Sequence, residues 1–375
     1  MKKNFLIASW LFGLGNSFSA PLIGLYIYIN SSIFYTLDFL MINSLFILIG
    51  YMAVGYLTTI WKKSIIYYRL GIFLYIVFYI TLFIISVNAP KVIDFIGALY
   101  GIAQGFYWSG WDILFYNTPK KLNFFNKSAY LGFITSVVAP GVYGSLLSIF
   151  HANGYEILFA ITSFFLLLSV LLVENIEVDS FKFDIRKSIS VFNENKIYKN
   201  SMTSLAIISG VNYILGNLNT ILIYSIAKTY FNFMIINYLM TALSIFSIYI
   251  LRDRLVNRIK PYKLVLTGSI IIGISSLFII SGVPLIYLAS FNIASPLIYP
   301  VIDVFNWNNM DRRFLTSYLV NRQIFLNLGR ILSSVTEIFL ANLSTGEEII
   351  PLLPVVVIAS LIFARSNSKE EVIEA

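Results

Sequence analysis

Residues Tyr318 to Leu340 read YLVNRQIFLNLGRILSSVTEIFL, long and apolar enough to cross a bilayer, yet the stretch carries Arg322, Arg330 and Glu337. A charge at the centre of a membrane helix costs about 2.5–3.5 kcal/mol on insertion scales, so these residues must do something that repays their placement. Two guanidiniums and a carboxylate suit ion pairing or the binding of a charged ligand. Arg330 and Glu337 are seven residues apart and share a helical face, and Arg322 lies within about 80° of it. The charges therefore form one stripe that must face protein or a water-filled cavity. Arg322 is placed to reach the end of its helix, near Asp303 or Asp311. Arg330 sits near mid-span and needs a carboxylate, backbone carbonyls or an anionic ligand. Glu337 is about 10 Å further along the axis, which favours a partner for Arg330 on another helix.

Three further groups of residues could carry chemistry. In FIGALYGIAQGFYWSGWDILFYN, Gln104, Trp108, Trp111 and Asp112 occupy one region of a helix, beside a stripe of Gly97, Gly101 and Gly105 suited to close helix packing. A carboxylate among tryptophans belongs toward the interior or water, or near Lys120 and Lys121 at the helix end. A second group is Asn292, Tyr299 and Asp303, in a helix interrupted by Pro296 and Pro300; kinked helices with freed carbonyls line cavities in transporters or serve packing. A third is uncharged: Asn16 with Ser17 and Ser19, and Asn212, Asn217, Asn219 and Thr220, which either bridge helices or bind substrate. With no cysteine, thiol chemistry and disulfides are excluded. The single histidine, His151, adjoins ANG and reads as a loop end. No phosphate loop and no H-E-x-x-H occurs, so neither a cofactor nor a metal site is expected. An intramembrane enzyme would have to use Asp112 and Asp303 as a carboxylate pair.

The elements that position these residues follow from composition. Hydrophobic residues make up 58% of the 375, aromatics 17% and charged residues 12%, against about 25% charged in soluble domains. Mean hydropathy is +0.81. Windows of about 20 apolar residues, the length that spans a bilayer, recur at about 5–29, 33–60, 64–87, 92–117, 125–150, 155–173, 201–226, 230–251, 263–281, 283–307, 314–341 and 349–364. The first continues through PLIGLYIYI and is too long for a removable signal sequence. The ninth and tenth are separated only by SGVP. If the N-terminus is cytoplasmic and the helices alternate, 22 of the 26 Lys and Arg fall on the inner side and two, Lys91 and Lys228, on the outer. The remaining two are Arg322 and Arg330. Basic residues in short loops stay cytoplasmic, so this split supports twelve spans in a cell membrane with both termini inside. The net charge of +8 is thus a topology signal and not a nucleic-acid footprint. The polar stretch 174–200 separates residues 1–173 from 201–375 as a cytoplasmic linker between two six-helix halves. Ordered echoes support duplication: LGN at Leu14 recurs at Leu215, and Tyr107 answers Tyr299.

This all-α membrane protein, with twelve transmembrane helices in two pseudo-symmetric six-helix halves, resembles the major facilitator superfamily of secondary transporters. The family's loop motif G-x-L-x-D-R-x-G-R-R/K matches GYLTTIWKKS at Gly55, Leu57 and Lys63, with Thr59 in place of the aspartate. The second-half copy, LRDRLVNR, supplies Leu251, Asp253, Arg254 and Arg258. The motif R-x-x-Q-G matches Gln104 and Gly105, with Gly101 for the arginine. APGVYGS looks like the exporter motif of helix five and keeps Pro140 and Gly144. The resemblance implies alternating access by a monomer, with a small-molecule path lined by helices 1, 4, 7 and 10. On it would lie Asn16, Gln104, Trp108, Trp111, Asp112, Asn212, Asn217, Asn292, Tyr299, Asp303 and Arg330. Gating or structural roles would fall to Asp253, Arg254, Arg258, Pro140, Gly144, Arg322 and Glu337. The helix-five motif gives export an edge. The missing helix-four arginine leaves the coupling ion open. A non-transporting receptor on the same fold is the remaining alternative.

Overall fold

The computed structural model describes residues 3–58, 60–61, 63–116, 121–173, 184–252, 258–341 and 349–367. Asp253 and Arg254, with Thr59, Lys62 and Lys120, lie outside the described residues. All regular structure among the described residues is helical. The helices are α1 (Lys3–Ser19), α2 (Ile23–Asn30), α3 (Ile33–Leu57), α4 (Ser64–Ile85), α5 (Ile93–Tyr116), α6 (Lys121–Phe150), α7 (Asn153–Leu172), α8 (Ile185–Glu194), α9 (Lys196–Ala227), α10 (Tyr230–Phe246), α11 (Pro261–Ile280), α12 (Pro284–Asn308), α13 (Leu315–Leu340) and α14 (Leu352–Asn367).

Each of the twelve apolar windows overlaps one of these helices, because a hydrocarbon span satisfies its backbone only by bonding within itself. The first window is broken at Pro21 by a short 3-10 turn, Ala20–Leu22, into α1 and α2. The ninth and tenth separate where expected: Gly282 adopts φ +75° and Pro284 opens α12. His151 takes φ +52° in the turn between α6 and α7, which places the lone imidazole at a loop end. Nine helical stretches among the described residues are long and apolar enough to cross a membrane. The eleventh window is not one of them, since its charges and amides lower its hydropathy. The chain is a multi-pass membrane protein.

Of the polar stretch 174–200 expected as a linker, residues 184–200 are described and are largely helical. From Asp184 on it is structured: the Asp184 carboxylate accepts the backbone N–H groups of Arg186 and Lys187 and starts α8. Asn195 then caps α9 through the N–H groups of Ile197 and Tyr198. An acceptor side chain at a helix N-cap satisfies amides that have no intrahelical partner.

The chain packs as two units. The first comprises residues 1–183 and 220–238. Within it α5 packs between α3 and α4, and α1 and α4 pack on α7. Glycines permit the close approach: a Cβ on Gly101 would collide with the Asn43 carbonyl, and one on Gly105 with backbone of α3. The same unit holds residues 220–238 against α6 and α7. A Cβ on Gly144 would meet Met234, one on Gly141 would meet the Tyr238 hydroxyl, and Tyr155 lies edge-on to Tyr230. The second unit comprises residues 184–219 and 239–375. There α11 packs on α12 and α14, and α13 packs on α8. The backbones of α9 and α13 touch: a Cβ on Gly210 would collide with Gly329, and one on Gly329 with the Ala206 carbonyl.

Candidate functional site

In the first unit the polar side chains of α5 are held by neighbours on α1 and α3. The Asp112 carboxylate is buried and accepts the Tyr51 hydroxyl at 2.9 Å. The Gln104 amide donates to Asn43 Oδ1 at 3.3 Å. The Trp111 indole donates to Ser9 Oγ at 3.1 Å and stacks on Phe115. Trp108 is 41% exposed and meets Tyr107 and Trp111 edge-on. Asn16, on α1, accepts the Tyr79 hydroxyl of α4 at 2.7 Å. Behind these groups Tyr107 stacks face to face on Phe12 and edge-on to Tyr75, and Phe78 stacks on Tyr100. Sequence reading singled out the amides and the carboxylate but missed their tyrosine donors. A tyrosine in an apolar run reads as bulk; only the fold shows which hydroxyl reaches a polar group. Pro140 lies within α6, which continues through it to Phe150, and Gly144 packs on Met234.

In the second unit the charges of α13 separate into three environments. Arg322 donates to the Asp303 carboxylate of α12 and sits over the Trp307 ring at 5.4 Å. Asp303, expected on the substrate path, is therefore engaged by an arginine. Asp311 serves Arg313 instead: it accepts that residue's backbone N–H at 2.9 Å and its guanidinium at 2.7 Å. The Arg313 guanidinium and N–H hold its carboxyl below the usual carboxylate range. Glu337 is fully buried. Arg330 is half-buried, with its Cζ 5.1 Å from the centre of the Tyr213 ring of α9 and Nη1 3.3 Å from Asn327 Oδ1. Its Nε is buried and has no hydrogen-bond partner among the described residues.

The uncharged candidates of this unit lie on α9 and α12. Asn212 is half-buried beside Tyr213. Asn217 is half-buried and returns its amide to the Tyr213 carbonyl at 3.0 Å. Asn219 accepts the Tyr287 hydroxyl at 2.9 Å, and Asn292 Oδ1 accepts the Ser244 hydroxyl at 3.0 Å. Tyr299 is half-buried between Pro296 and Pro300, and α12 runs through both prolines. Arg258 is exposed in the turn before α11. A cluster that sequence reading missed ties α8, α9 and α13 together. Tyr198 donates to Asn321 Oδ1 at 2.9 Å, Asn321 donates to the Ser188 carbonyl at 2.8 Å, and Phe192 stacks on Phe325.

No protein-family model matches the chain. It is 24% identical over 311 residues to the uncharacterized protein YqgE of Bacillus subtilis (strain 168), covering 76% of this chain and 69% of that one. Solved structures are similar over nearly its full length. A POT family transporter, solved in complex with a thioalcohol conjugated peptide, gives a TM-score of 0.73 at 9% identity over 98% of this chain and 96% of that one. The nucleoside transporter NupG gives 0.70 at 12% identity over 98% and 99%. The chain shares the fold of these solved transporters.

Proposed function

We propose that the protein is a secondary active transporter that moves a small solute across the cell membrane by alternating access, with a monomer as the working unit. The observation that carries this reading is full-length likeness to solved transporters. Two other observations support the finer picture of twelve spans in two six-helix halves with both termini cytoplasmic. One is the partition of basic residues. The other is a repeated packing scheme. In span numbers, the third span packs on the fourth and sixth (α4 on α5 and α7), and the ninth on the tenth and twelfth (α11 on α12 and α14). The first span packs on the fifth (α1 on α6), and the seventh touches the fifth's counterpart, the eleventh (α9 and α13). Duplication of a six-helix unit accounts for this correspondence.

Export is the favoured direction, on the helix-five residues Pro140 and Gly144. Their helix meets residues 234 and 238 through Gly144 and Gly141, at the end that the charge partition assigns to the outside. We assign Pro140, Gly144 and the Tyr155–Tyr230 contact to an outer gate. The enzyme alternative loses support, because Asp112 and Asp303 are each bonded to a residue of their own unit, Tyr51 and Arg322. Purified protein in liposomes tests the reading. Solutes that raise its melting temperature should show saturable flux absent from empty liposomes. Binding without flux would favour a receptor.

A further inference from the structure

We infer that Arg330 is the anchor for an anionic group, a carboxylate or a phosphate, on the transported solute. The inference rests on the transporter reading and gives it a substrate class.

Arg330 lies 15 residues into a 26-residue helix, or about 22 Å along a rod of about 39 Å. That depth is too great for its head group to reach either interface without help. A guanidinium there requires negative charge or a full set of acceptors. The other arginine of the helix has found charge: Arg322 holds the Asp303 carboxylate. Arg330 has not. Among the described residues no carboxylate oxygen forms an ion pair with it. Its partners are a neutral amide oxygen at 3.3 Å and the face of Tyr213 at 5.1 Å, and its Nε is buried without an acceptor. Five N–H donors in a planar fork are thus left, among the described residues, with one long neutral hydrogen bond. The cation–π contact orients the fork without consuming its donors.

The position is also fixed from behind. Gly329 sets α13 against the backbone of α9 at Ala206 and Gly210, and Ser333 lies against Gly210. That contact holds the next residue, Arg330, over Tyr213. A rigid, oriented and charge-deficient guanidinium suits bidentate recognition of a planar or tetrahedral oxyanion. Asn212, one residue from Tyr213, and Asn327, three residues from Arg330, are neutral groups close in sequence for the rest of the solute.

Melting temperature separates this role from a structural one, first without any ligand. Arg330→Gln deletes a charge that the fold leaves uncompensated, so the ligand-free variant should melt at or above the wild-type temperature. A drop of several degrees would overturn the proposal. The second arm uses matched probes: gluconate against glucose, benzoate against benzamide, and inorganic phosphate. Anionic members should stabilise the wild type, and Arg330→Gln should abolish the shift. Stabilisation by the neutral members alone, or an anion shift that Arg330→Gln keeps, would overturn it. Should Arg330→Gln not accumulate, Arg330→Lys serves, keeping the charge and losing the fork. Losing one charged hydrogen bond, it should weaken anion binding about tenfold with the ligand-free melting temperature unchanged; an undiminished anion shift would overturn the proposal. A wild type that carries only neutral solutes would leave the transporter reading standing and remove this one.

Discussion

Arg322 and Arg330 lie eight residues apart on one helix and have different partners. Arg322 is paired with Asp303, with side-chain exposures of 10% and 26%. Removing one member of a buried pair strands the other and costs about 3–5 kcal/mol. The partial exposure of Asp303 lowers the expectation for Asp303→Asn to about 2 kcal/mol, read as loss of stability in denaturant or heat. The paired change Asp303→Leu with Arg322→Met should restore most of it. If the double variant is as unstable as the single, the ion pair is not what Asp303 supplies. Tyr51→Phe should cost about 1.5–3 kcal/mol, since it removes a hydroxyl from the buried Asp112 carboxylate; a change within a few tenths would mean that the bond is immaterial. The sequence narrowed the partner of Arg322 to Asp303 or Asp311 because both lie near its end of the helix. It offered no spacing rule for Tyr51 or Tyr213, since a hydroxyl donor or an aromatic face on another helix leaves no pattern along the chain.

Helix α13 depends on a glycine as much as on its charges. Gly329 lies where a Cβ would strike the Ala206 carbonyl. Gly329→Val should therefore force α13 away from α9, costing about 1–3 kcal/mol by overpacking and displacing Arg330 from Tyr213. Gly216→Ala, on the same α9 but with no atom near its missing Cβ, should be close to neutral and serves as the control. Equal stability of the two variants would contradict the close approach. Element positions were largely legible: unbroken apolar runs fix helices, and SGVP marks a turn that Gly282 makes with positive φ. Helix α8 was not legible as an element. Its sequence IRKSISVFNE is amphipathic and short, so a reading based on apolar length takes it for linker. Its order comes from the Asp184 cap and from Asn321 and Phe325 of α13.

At the scale of the molecule, absence of cysteine makes topology directly testable. Single cysteines replacing Lys63 or Arg258 should react with a membrane-impermeant maleimide only in inverted vesicles, and those replacing Lys91 or Lys228 only in right-side-out vesicles. The reverse pattern would invert the assignment drawn from basic residues. The fold class was legible because hydropathy and charge act over the whole chain, whereas the identity of the solute depends on a few side chains whose partners are set by packing. The central claim is alternating access, and the most direct measurement uses Asn212→Cys, half-buried beside Tyr213 on α9. The account predicts that this cysteine is alkylated by the impermeant maleimide from either side of the membrane, and that bridging cysteines placed at Tyr155 and Tyr230 abolishes labelling from outside while sparing labelling from inside. A cysteine at this position that is inert from both sides, or labelled from both sides after the bridge has formed, would contradict it.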